Sequence, residues 1–85
     1  MKTELYTFYD SIACQSEGIF HARNDGDAMR MFIKRFKDRD DSEDFSLLHI
    51  GSMDHDTSGV YPLDVPEEVP ITLPKKTETI GGNNN

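Results

Sequence analysis

Residues 43–60, EDFSLLHIGSMDHDTSGV, constrain the fold more than any other stretch of the chain. They hold an alternating strand, a turn with a glycine at its end and the start of a return strand, which is the pattern of a β-hairpin. Side chains alternate with period two along a strand, so Phe45, Leu47 and His49 share one side of the ribbon and Ser46, Leu48 and Ile50 the other. Apolar groups therefore fall on both faces. Such a strand is expected inside a sheet, with a helix against one side and a partner or the proline-rich C-terminal segment against the other.

A chain of 85 residues makes one small domain with a limited core, and a large enclosed active site is not expected in it. A single cysteine, Cys14, excludes an internal disulfide, and the scattered His21, His49 and His55 lack zinc spacing, so neither a metal nor another cofactor is expected. This cysteine usage suits a reducing, intracellular compartment. No run of eighteen apolar residues occurs, so neither a signal peptide nor a membrane span is expected.

Leu5-Tyr6-Thr7-Phe8-Tyr9 is rich in strand formers and predicts a first strand over 4–10. Ile19-Phe20-His21-Ala22 predicts a second, with Ile12 and Cys14 folding over the loop between them. Asn24 can cap a helix whose first turn carries Asp25 and Asp27, where carboxylates suit the positive end of the dipole. Ala28, Met29, Phe32, Ile33 and Phe36 then form one apolar stripe, so a helix over about 25–37 should lie on the sheet. The run 38–44 has no apolar residue and reads as a solvated connection.

Pro62, Pro66, Pro70 and Pro74 recur every four residues and favour an extended segment, which can lie along a sheet edge, over a helix or a central strand. The predicted organisation is a domain over 1–65, an extended proline-containing segment over 66–74 and a disordered tail over 75–85. The expected fold is α+β: a small antiparallel sheet of three or four strands, one helix across one face, and an extended, proline-spaced C-terminal tail.

The formal charge of −7 argues against polynucleotide binding, yet six of the nine basic residues, Arg23, Arg30, Lys34, Arg35, Lys37 and Arg39, fall within seventeen positions. Arg30, Lys34 and Lys37, spaced by three or four, would form a ridge able to meet successive phosphates. Tyr6, Phe8 or Tyr9 could stack on unpaired bases if one sheet face is open. The plainer reading is that cations near a helix C-terminus complement its dipole and line a solvated face.

Asp54-His55-Asp56-Thr57-Ser58-Gly59 begins like a calcium loop, but the twelfth position would be Val65 instead of a glutamate; a hairpin turn with Gly59 at positive φ explains the same residues. Cys14 and His21 lack an orienting third group and a pocket, so Cys14 reads as a small buried hydrophobe and His49 as a half-buried, hydrogen-bonded histidine. No phosphate-cradling loop or nucleophile elbow occurs, and no catalytic residue is assigned. The chain is not expected to be an enzyme.

Several segments occur together in one order: Tyr9-Asp10-Ser11, Phe20-His21-Ala22-Arg23-Asn24, Ala28-Met29-Arg30-Met31-Phe32, Glu43-Asp44-Phe45-Ser46-Leu47, Ile50-Gly51, and Met53-Asp54 through Thr57-Ser58-Gly59. With this order and spacing over about residues 5–64, the chain resembles a small nonstructural protein family of the Microviridae, of the gokushovirus type, phages with single-stranded DNA genomes. It departs from that family's usual look at Gly18-Ile19, where a proline is common, and in the loop before Glu43, which lacks a His-Pro step.

The resemblance implies an accessory protein, in the cytoplasm of the bacterial host, that binds single-stranded DNA during genome replication or packaging. Arg23, Arg30, Lys34, Arg35 and Lys37 would then touch phosphate. The alternative is an acidic protein-interaction module that engages a basic replication or capsid protein, through loop 38–44 or the tail, without contacting DNA. A small core with a two-sided apolar strand also suits a homodimer.

Overall fold

A computed structural model describes residues 1–72 of the chain. Strands β1 (Lys2–Asp10) and β2 (Gln15–Ala22) lead into helix α1 (Asp25–Phe36); a 3-10 turn, Ser42–Asp44, then precedes β3 (Phe45–Asp54) and β4 (Gly59–Val69). The strands form one antiparallel sheet in the order β2-β1-β3-β4. The two central strands carry the dense aromatic and aliphatic runs, as strands flanked on both edges should.

Alternation along β1 sends Tyr6 and Phe8 towards the helix and Leu5 and Thr7 the other way. Tyr6 and Phe8 join Ala22, Phe45, Leu47 and Val69 from the sheet and Ala28, Phe32 and Phe36 from α1 in one core. Phe36 is its hub, with ring centroids 4.7 Å from Phe32, 5.1 Å from Phe8 and 4.5 Å from Phe45. Each such fully buried ring stabilises the fold by roughly 1.5–3 kcal/mol relative to exposure.

The helix begins where its cap dictates. Asn24 Oδ1 accepts from the Asp27 amide at 2.9 Å, satisfying one of the orphan donors of the first turn. No glycine ends it. Instead, the Lys37 amide still donates to the Ile33 carbonyl, and Arg39 then grips Asp41 with two hydrogen bonds of 2.8 and 2.9 Å while its guanidinium lies over Phe36 and Phe45. The run 38–44 is therefore held by stacking and ion pairing. Its far end is also fixed, because Asp44 O accepts from the amide and hydroxyl of Ser11.

The expected fold is overturned at its C-terminal end: Pro62 and Pro66 belong to β4, a strand paired along β3, and not to an extended tail. Proline survives there because β4 is an edge strand, which can present a missing N–H to solvent without losing a ladder bond. The pairing also buckles. From His49↔Glu67 to Gly51↔Pro62, β3 advances two residues while β4 spends five, so 63–66 bulge outward and Val65 is 72% exposed. Gly51 is required at this buckle, since a Cβ would lie 2.6 Å from the Tyr61 carbonyl oxygen and 2.9 Å from Pro62 Cα. Pairing continues to Val69, and Ile71 packs against the core; the expected tail over 75–85 lies outside the described residues.

Other local expectations change too. Cys14 is exposed, at the tip of the β1–β2 hairpin with φ 57°, because Asp10 Oδ1 caps the amides of Ile12 and Ala13 and turns the chain outward before any core is reached. Ile12 is exposed beside it and covers nothing. In the β3–β4 turn the positive φ belongs to Ser58, at 61°, and not to Gly59. A Cβ on Gly59 would meet the Tyr61 hydroxyl at 2.9 Å, but that is the end of an exposed side chain able to move aside, so the contact does not require a glycine there.

Candidate nucleic-acid interface

Arg30 and Lys34 of α1 and Lys37 at its C-cap project from the side opposite Ala28, Phe32 and Phe36, and all three are exposed. At 1.5 Å of rise per residue they span roughly 10 Å along the helix axis. Lys34 and Lys37 have no ion-pair partner among the described residues. Arg30 approaches Asp27 at 3.9 Å, yet its side chain remains 78% exposed. The expected ridge is therefore present as a geometric feature.

The other two predicted contacts stand apart from it. Arg23 reaches Asp27 from before the helix, at 3.4 Å through both its amide and its Nε. These bonds, with the charges of Arg23 and Arg30, hold the Asp27 carboxyl below the usual aspartate range, although some desolvation opposes them. Arg35 lies on the flank facing β2: it bonds Glu17 at 3.1 Å and places its guanidinium 5.4 Å from the Phe8 ring centroid and 5.6 Å from that of Phe36. It clamps helix to sheet as well as offering charge. The base-stacking surface is also reduced, because Tyr6 and Phe8 are buried beneath α1 and Tyr9 alone of the three lies half-exposed on the far face.

An open cleft beside the helix N-terminus holds a cluster that no local motif foretells: Glu4, Tyr6, Asp25, His49 and Glu67. His49 Nε2 lies 2.8 Å from Glu4 and 3.1 Å from the Gly51 carbonyl oxygen, and its Nδ1 lies 3.6 Å from Glu67. Both ring nitrogens are thus occupied by neighbouring strands, and the imidazole, 5.0 Å from the Tyr6 ring, staples β1, β3 and β4 together. Tyr6 donates to Asp25 at 2.7 Å. Only the register shifts in β1/β3 and β3/β4 bring these residues together, and no local spacing encodes them.

His21 and His55 meet on the other face, where Thr3 Oγ1 lies 2.9 Å from one ring and 2.8 Å from the other. Among the described residues no group of three or more His, Cys, Asp or Glu could hold a metal ion, and no helix is long and apolar enough to cross a membrane. The Asp54–Gly59 turn, read above against calcium, uses Asp54 Oδ1 to accept from the Asp56 amide and both carboxylates to face the Met1 amino group.

No curated protein and no solved structure matches the chain. A family model described as "Phage ORF5 protein" matches residues 3–72, from the first residues of β1 to beyond the end of β4. The chain therefore belongs to the Phage ORF5 protein family.

Proposed function

We propose that this phage protein is a nonstructural accessory protein of the Microviridae type that binds single-stranded DNA during genome replication or packaging, in the host cytoplasm and without a reaction of its own. The observation that carries this reading is the Arg30, Lys34 and Lys37 ridge, in which both lysines lack a carboxylate partner among the described residues. Residues 23–37 contain five of the nine basic residues and two of the sixteen acidic ones, so the ridge is locally cationic although the chain is not. Arg35 and Arg23 contribute less, because Glu17 and Asp27 offset them.

Three phosphate contacts on a single strand give a slope of roughly −2 in log affinity against log salt. Titration of a fluorescent oligonucleotide at several salt concentrations reads this slope directly. The double variant Lys34→Glu/Lys37→Glu should lose retention at low salt. Equal binding by wild type and variant would exclude the ridge, and no binding by wild type at low salt would exclude the function.

A second reading, an acidic module for a basic replication or capsid protein, is favoured by the exposed Asp64, Glu67 and Glu68 on edge strand β4. A stable complex with a basic phage protein, with no oligonucleotide signal, would select it.

A further inference from the structure

No helix packs on the second face of the sheet, although Leu5 and Thr7 at its centre are already shielded. Leu5 is only 7% exposed, yet it lies outside the core that α1 seals, as do Leu48 and Met53. Strand alternation and register place these three on the face away from the helix, together with Ile19, 66% exposed, and Val60, 57% exposed. Of the residues assigned to this face in the same way, only Glu68 carries a formal charge. In a chain whose charged fraction is 29%, that depletion is a local property and not an average one.

We infer that this face is the contact surface of a homodimer, with a second copy of the chain packed sheet against sheet. The chain's own C-terminal segment is a poor occupant. Val69 and Ile71 both join the helix-side core, so the described chain leaves the sheet on the opposite face, and residues 73–85 supply only Leu73 and Ile80 as large apolar groups. A basic partner would gain little on a face with one carboxylate, whereas two chains of charge −7 can approach each other here with few like charges opposed.

The area is sufficient for a modest interface. Four strands about 4.8 Å apart and about nine residues long give a footprint of roughly 600 Å² per copy before side-chain relief. A standard interface uses about 800 Å² per partner, and sheets stack at about 10 Å through interdigitated faces; here uncharged Thr, Ser and His side chains accompany the apolar ones.

Sedimentation equilibrium of the full chain at tens of micromolar tests the assignment. Wild type is expected at twice the 9.7 kDa of one chain. Ile19→Glu and Val60→Glu, both at exposed positions and so compatible with folding, should each halve that mass while far-UV circular dichroism stays unchanged. A monomeric wild type overturns the inference, as does a dimer that survives both substitutions. A monomer whose Leu5 and Leu48 methyl signals shift with an oligonucleotide would give the face to DNA instead and also overturn it.

Discussion

The Tyr6 hydroxyl donates to Asp25 Oδ1 across 2.7 Å, tying the middle of β1 to the first turn of α1. Burial, this hydrogen bond and the nearby carboxylates of Asp25, Glu4 and Asp27 hold the phenol protonated well above its ordinary value of 10.0. The unfolded chain releases the same proton near that ordinary value. Stability from the raised proton affinity is therefore complete below about pH 10 and is lost as pH climbs beyond it. Tyr6→Phe should lose about 0.5–1.5 kcal/mol at neutral pH. It should also show a smaller alkaline decline than wild type, as read by urea unfolding between pH 8 and about pH 11.

Phe36 joins three other rings in the core and is fully buried. Phe36→Ala should cost about 3–5 kcal/mol, a large part of what a domain of this size possesses. Thermal and urea unfolding followed by circular dichroism would show it, and Phe36→Leu should retain much of the loss.

Gly51 faces backbone atoms of β4 that cannot move aside as a side chain would. Gly51→Ala should therefore push β4 from β3 at a cost of roughly 1–3 kcal/mol. Hydrogen exchange should quicken at β4 amides while β1 amides stay protected; equal protection in both strands would refute the close approach.

Asp27 neutralises charge from two arginines at once, Arg23 and Arg30. Its depressed ionisation contributes stability above the ordinary aspartate value of 3.8 that is lost as pH falls below it. Asp27→Asn should thus weaken the fold near neutral pH. Under the DNA reading it should tighten oligonucleotide binding, by up to roughly fivefold at low salt, because both guanidiniums become available. Weaker binding by a folded variant would contradict the proposed role of the ridge.

Local chemistry makes much of this architecture readable in the amino-acid sequence. Asn24 announces the helix start because a short polar side chain before an apolar stripe has few other uses, and Asp25 is indeed the first helical residue. The spacing of Arg30, Lys34 and Lys37 put them on one ridge for the same reason. The partners of Arg35 and His49 were not legible: Glu17 is eighteen residues from Arg35, and Glu4 is forty-five from His49. Such pairings depend on strand order and on two register shifts. The prolines are legible as barring a central strand and suiting an edge, but the pairing of 59–69 along β3 depends on tertiary context that those residues alone do not announce. The usual preference of cysteine for burial points Cys14 inward, whereas the Asp10 turn decides its place.

The outward loop at 63–66 leaves the outer border of β4 crooked and short of amide donors at Pro62 and Pro66. A foreign strand finds no straight row there to zip against, so the sheet does not grow in that direction and the protein resists fibre-like stacking from that side.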